Sequence, residues 1–263
     1  MNEFEEFKDS CKKEIVELGA DQEVSSLTLE WLNSVNPHKY SYHFSSLGRP
    51  IIQYPQDMVA VQELIWEVKP DLIIETGIAH GGSLIMSASC LALLDICDAI
   101  NEGSVLNPRD SKRMVLGLDI DIREHNRTAI VNHPMSSRIK MIEGSSVAPE
   151  IVKQVHEVAA KYSRIMVMLD SNHTHDHVLA ELEAYGNLTS VGSYLCVFDT
   201  VIEDLPKSHF PNRSWGPGDN PKTAVWEYLK THPEFEIDRT IQNKLQITVA
   251  PDGYLRRVEM SDE

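Results

Sequence analysis

The chain has little with which to hold a polyanion. Its 263 residues carry 24 Lys and Arg against 40 Asp and Glu, a formal net charge of −16, and no run of basic residues occurs. Phosphate backbones and anionic lipid surfaces are held by clustered cations, so the composition argues against nucleic acid and membrane partners. Cysteine is scarce as well. Cys11, Cys90, Cys97 and Cys196 form no C-x-x-C pair and no zinc-ligand spacing, which points to reduced, buried thiols. No run reaches about 18 wholly apolar residues, and MNEFEEFKDSCKKE is too charged for a signal peptide. A soluble, cytoplasmic protein is expected. Internal repeats and low-complexity segments are absent, so one main domain with an appendage is the economical organisation.

What is present reads in order. Phe4, Phe7, Cys11, Ile15 and Leu18 recur at helical spacing, predicting an amphipathic helix whose stripe packs on its own domain or in a homo-oligomer. Residues 33–56 are aromatic, His-containing and broken by proline, and predict an irregular lid or connector. The appendage is therefore 1–56 and the main domain 57–263. Met58, Val61, Leu64, Ile65 and Val68 form one helical face that Pro70 ends. Short apolar runs at 72–75, 114–119, 139–143, 165–170 and 194–199 predict buried strands. Helices are expected at 82–97, 147–162 and around 178–185, with a polar loop at 99–113. After a Pro/Gly-rich loop at 205–221 come a helix near 222–230 and strands at 235–240, 244–250 and 254–258, the last two joined by Pro251-Asp252-Gly253. This alternation predicts an α/β fold, a doubly wound, mostly parallel sheet with an antiparallel C-terminal hairpin.

In such sheets ligands bind beyond the carboxyl ends of the strands, near the reversal of strand order. The first strand ends in Glu75-Thr76-Gly77-Ile78-Ala79-His80-Gly81-Gly82-Ser83. The glycines permit a tight turn with close backbone approach at a helix N-terminus. This is not the G-x-G-x-x-G spacing that serves a dinucleotide pyrophosphate. It is similar instead to the first motif of adenosylmethionine methyltransferases. Asp119 ends the second strand, where a carboxylate accepts both hydroxyls of a ribose. Gly144-Ser145-Ser146 ends the third in a small polar turn suited to an adenine edge. The fourth delivers Asp170-Ser171-Asn172-His173-Thr174-His175-Asp176-His177, and the fifth Asp199-Thr200 with Glu203 and Asp204 beyond. Carboxylates at adjacent strand ends converge readily on a hard cation, which would polarise a substrate hydroxyl. His173, nearest the strand end, is the preferred general base. The rigid loop Arg213-Ser214-Trp215-Gly216-Pro217-Gly218-Asp219-Asn220-Pro221 suits a substrate wall.

Together, IIETGIAHGGSLIMSAS, VLGLDIDIREHNR, MIEGSS, VMLDSNHTHDHVLAELEAY, SYLCVFDTVIEDLP and WGPGDNPKTAVWEYL resemble the cephalosporin hydroxylase family, from about residue 53 to 257. Despite the name, its members are similar to Rossmann-type S-adenosylmethionine methyltransferases. The resemblance implies a cofactor held by Glu75, Gly77, His80, Gly81, Ser83, Asp119, Gly144, Ser145, Ser146 and Asp170. It also implies Mg²⁺, or another divalent cation, at Asp170 and Asp199. Family metal sites can carry an acidic pair here, whereas Phe198 precedes Asp199 in this chain. Thr200, Glu203 or water would then complete the shell.

The expected activity is O-methylation of a hydroxyl on a small molecule or sugar. Three rivals stand beside it. An iron hydroxylase would need a facial triad such as His173, His175 and Asp176. An NAD oxidoreductase lacks its pyrophosphate loop. A non-catalytic nucleoside- or metal-binding subunit would bind the cofactor without turnover.

Overall fold

The computed structural model describes residues 2–260. Two helices open it, α1 (Glu3–Ala20) and α2 (Gln22–Val35). The break falls at Asp21, whose carboxylate accepts from the N–H groups of Glu23 and Val24 and so caps the second helix. Cys11, Ile15 and Leu18 are half-buried, but Phe4 and Phe7 are exposed, so the predicted stripe is covered only along its later part. Residues 36–43 form two 3-10 turns leading into a hairpin, β1 (Phe44–Ser46) with β2 (Arg49–Ile51). Trp31, Tyr40, Phe44 and Tyr54 pack edge-on or tilted within this lid. Helix α3 (Pro55–Val68) follows, with proline in its first turn.

The main domain continues as β3 (Leu72–Thr76), α4 (Gly82–Glu102), β4 (Met114–Asp119), α5 (Glu124–Val131), β5 (Ile139–Glu143), α6 (Pro149–Ala159) and β6 (Ile165–Leu169). Then come α7 (His175–Tyr185), β7 (Tyr194–Val197), α8 (Pro221–Tyr228), β8 (Phe235–Ile237), α9 (Arg239–Leu245) and β9 (Tyr254–Arg257). The sheet order is β5-β4-β3-β6-β7-β9-β8. The five strands from β5 to β7 in that order are parallel, and β9 runs antiparallel to both β7 and β8. Strand order therefore reverses between β3 and β6, which places the ligand crevice at their carboxyl ends.

The antiparallel C-terminal pair exists, but its strands are β8 and β9, with Phe235 opposite Arg257. Residues 244–250 are not a strand. Asp238 caps α9 by accepting from Thr240 N–H, and the buried Asp57 of α3 accepts from Thr248 Oγ1, Val249 N–H and Tyr254 Oη. Asp57 thereby takes the Val249 N–H and Val201 N–H takes the Val249 carbonyl, so neither is left for a strand ladder.

Alternation along the strands divides the core. Ile73, Val115, Met166 and Cys196 face α3, α4 and the C-terminal segment, while Leu72, Ile74, Leu116, Val167 and Leu195 face α6, α7 and α8. Helix α4 has the length and hydropathy of a membrane-crossing helix, yet half of its apolar window is buried in the domain. Its Asp95 also binds the guanidinium groups of Arg113 and Arg138, at 2.5 and 2.8 Å.

Candidate active site

The Gly-rich turn is shaped by what packs beneath and around it. Gly77 has φ +89°, and a Cβ there would lie 2.0 Å from the Asp170 carbonyl, so only glycine lets the ends of β3 and β6 approach this closely. Gly82 meets the lid in the same way: a Cβ would lie 2.3 Å from the Pro50 carbonyl. Two residues that the sequence reading did not single out brace the turn. Arg49 of β2 donates to the His80 carbonyl at 2.7 and 3.0 Å and to Asn126 Oδ1 at 2.9 Å. Asn126 of α5 donates in turn to the Ala79 carbonyl at 2.9 Å. No local pattern marks either residue, because each acts across more than thirty positions of chain.

Asp119 also supports this turn. Its Oδ2 accepts from Ile78 and Ala79 N–H at 2.9 and 3.2 Å, and its Oδ1 accepts from Asp121 N–H at 3.1 Å. Glu75 lies buried under the turn with Ser83 Oγ donating to Oε1, while Oε2 has no partner. Burial pushes the Glu75 carboxyl up to about 8, with Asp170 adding to the effect and the Ser83 bond opposing it. Gly144 and Ser146 sit at the end of β5. Ser146 Oγ pairs with His177 Nε2 at 3.1 Å, and the Ser146 carbonyl accepts from Tyr185 Oη.

The densest grouping is Asp170, His173 and Asp199, whose ligand atoms all lie within 4.8 Å of one another. His173 Nε2 stands 3.0 Å from Asp199 Oδ2 and 3.6 Å from Asp170 Oδ1. Asp199 has φ +57°, a left-handed backbone uncommon outside glycine, and it turns the chain at the end of β7. Burial raises the Asp170 carboxyl, Asp199 adds to this, and His173 opposes it. Burial pulls the His173 imidazole down, but Asp199 and Asp170 outweigh it and raise the group. The His173 and Trp215 rings meet in a T-shaped contact, with centroids 4.9 Å apart.

Thr200 does not join this cluster. It is fully buried, and its hydroxyl donates to the Pro251 carbonyl at 2.6 Å. Glu203 accepts instead from Gly218 N–H and Asn220 Nδ2, holding the 213–220 loop. The imagined triad of His173, His175 and Asp176 does not assemble either. His175 turns to Thr223 at 2.8 Å and Glu227 at 3.4 Å, and Asp176 is exposed.

A cleft of about 650 Å³ joins these parts. Of the residues expected to hold the cofactor, Gly77, His80, Ser83 and Asp170 line it, together with His173 and Asp199. Glu75 borders a small cavity of about 20 Å³ shared with Ser83 and Asp170. Gly81, Asp119, Gly144, Ser145 and Ser146 line neither. Lid residues 36–54 and the 201–215 segment supply the remaining walls. The donor set fits a divalent cation, because two carboxylates converge and, among the described residues, no Lys or Arg forms an ion pair with either.

A parallel sheet reversing at a Gly-rich turn, with acids on the neighbouring strand ends, defines a Rossmann-type methyltransferase. The chain belongs to the rhamnosyl O-methyltransferase/CmcI family, whose model matches residues 38–258 and so includes the lid hairpin. The rhamnosyl O-methyltransferase of Mycobacterium bovis (strain BCG / Pasteur 1173P2) is 30% identical over 207 residues, covering 76% of this chain and 73% of its own. That of Mycobacterium leprae (strain TN) is 28% identical over 213 residues, covering 80% and 82%. A solved CmcI structure described as Mg-SAM is similar in fold, with a TM-score of 0.52, 18% identity, and 83% and 78% of the two chains covered.

Proposed function

We propose that the protein transfers a methyl group from S-adenosylmethionine to a hydroxyl of a sugar or sugar-bearing small molecule, with Mg²⁺ at Asp170 and Asp199. The observation that carries this reading is the convergence of Asp170, His173 and Asp199 beside the Gly77 turn in one cleft. When bound, the cofactor supplies an activated methyl group on a sulfonium and the cation supplies positive charge beside the acceptor oxygen. The rhamnosyl acceptors named for the mycobacterial relatives support a sugar hydroxyl.

The chain's own residues have three tasks. The 77–83 turn, braced by Arg49, Asn126 and Asp119, holds the nucleoside at the head of α4. His173, oriented by Asp199 and Trp215, accepts the hydroxyl proton. The lid and the 201–215 segment exclude water and align the acceptor, from which much of the rate derives. Among the described residues the metal-competent grouping holds one histidine and two carboxylates, so the hydroxylase triad has no support.

Calorimetric titration with S-adenosylmethionine, with and without Mg²⁺ and with NAD as control, tests the reading. Micromolar binding, roughly −8 kcal/mol, followed by methyl transfer to a rhamnoside, is expected. A folded sample that binds no S-adenosylmethionine removes it.

A further inference from the structure

The charge of the cleft wall identifies a class of acceptor, and this inference rests on the methyltransferase reading above. Among the described residues, Asp170 and Asp199 are the only carboxylates that line the cleft, whereas Lys39, His80, His209 and Arg213 also do. Lys39 comes from the lid and Arg213 from the loop after β7. Neither forms an ion pair among the described residues. Lys39 Nζ lies 5.9 Å from the Tyr42 ring centroid and the Arg213 guanidinium 4.9 Å from that of Trp215. Trp215 in turn meets His173, so the Arg213 cation stands one aromatic ring away from the proposed base. His209 adds a ring nitrogen, Nδ1, that is buried without a partner.

In a protein of net charge −16, a wall with unpaired cations and no acid beyond the metal pair is not explained by composition. Arg213 and Lys39 are both exposed at the cleft wall and carry no counter-charge there, so each is free to meet an incoming anion. A guanidinium fork on an aromatic face is well suited to phosphate or carboxylate oxygens. With Asp170 and Asp199 neutralised by a divalent ion, the cleft carries net positive charge. We propose that the methyl acceptor is a hydroxylated compound bearing an anionic group, phosphate or carboxylate, which Arg213 holds together with Lys39. Trp215 then offers the acceptor ring an apolar face between this anchor and His173.

The test uses the full chain in Mg²⁺ buffer and two matched pairs of calorimetric probes. One pair is a 6-deoxyhexose 1-phosphate and the methyl glycoside of the same sugar. The other is that sugar's glycoside of 4-hydroxybenzoate and its phenyl glycoside. At least one anionic probe should bind tenfold or more tightly than its neutral partner, about 1.4 kcal/mol, and the pair that separates identifies phosphate or carboxylate. The ratio should shrink in 0.5 M salt, fall toward one in Arg213→Ala/Lys39→Ala, and be partly retained in Arg213→Lys. Equal binding of charged and neutral probes, no binding of any probe, or a ratio unchanged in the double variant overturns the proposal. S-adenosylmethionine titrated alongside separates the two readings. Anion preference without cofactor binding sinks the methyltransferase reading, and cofactor binding without anion preference sinks only this one.

Discussion

His173 Nε2 lies 3.0 Å from Asp199 Oδ2, closer than the 3.6 Å that separates it from Asp170 Oδ1. This contact sets the charge state of the proposed base. Burial alone would lower the imidazole, but Asp199 and then Asp170 raise it to about 8. A base must be neutral to accept a proton, so turnover should rise as pH passes that value at limiting Mg²⁺. A saturating cation opposes protonation and should move the limb to lower pH. Asp199→Asn should move it the same way, since it removes the strongest influence raising the group. A pH–rate profile unchanged in that variant would detach Asp199 from the base.

Replacing His173 by Ala should lower kcat about 10²–10⁴-fold while leaving S-adenosylmethionine affinity within a few-fold. Loss of affinity in parallel with kcat, measured by calorimetry and steady-state assay, would make the residue part of the binding surface instead.

Asp170→Asn should abolish the Mg²⁺-dependent rise in melting temperature. Asp170 accepts only a long bond from Gln53 Nε2 at 3.3 Å and a contact from His173, so its oxygens remain available to an ion. A variant that still responds to Mg²⁺ as the wild type does would place the metal elsewhere.

Glu75 gives a stability prediction with a definite sign. Its carboxyl is raised from 4.5 to about 8 by burial, so the folded state holds a proton that the unfolded chain releases between those values. Stability should decline across that window and level off above it. Glu75→Gln preserves an acceptor for Ser83 and removes the decline. Its melting temperature should gain on the wild type as pH rises, by roughly 2–4 °C for each kcal/mol. A constant difference from pH 5 to 8.5 would show that Glu75 ionises normally.

Arg49→Ala should weaken S-adenosylmethionine binding about tenfold, near the 1.5–3 kcal/mol range for bonds to charged donors. Its three bonds hold the His80 carbonyl and Asn126, and through Asn126 the Ala79 carbonyl. Gly77→Ala should cost more in stability than Arg49→Ala, because its Cβ would meet the fixed Asp170 backbone. Denaturant titration of the two variants ranks them, and the reverse order would show that the turn relaxes easily.

Much of the fold was legible because buried parallel strands are unbroken apolar runs. Leu72–Thr76, Met114–Asp119 and Ile139–Glu143 stand within a residue of where that pattern places them. The 244–250 segment was misread for a physical reason. Leu245, Ile247 and Val249 alternate with polar residues as a strand would, but Asp57, 191 positions away from Thr248, claims the backbone and side chain there. Helix α5 carries too weak an apolar stripe to be expected, with only Asn126 and Ile130 buried.

At the site, the amino-acid order determined which groups stand at or just beyond the strand ends: Glu75 and Gly77, Asp119, Asp170, Asp199. Tertiary structure alone decided what each does there. It drew Thr200 to Pro251 and left His173 to close the cluster, because a hydroxyl buried beside a free carbonyl must bond to it. It brought Arg49 and Asn126 to the turn, and Lys39 and Arg213 to one cleft. Local pattern records spacing along the chain, whereas these partners meet only when distant loops share the end of one sheet.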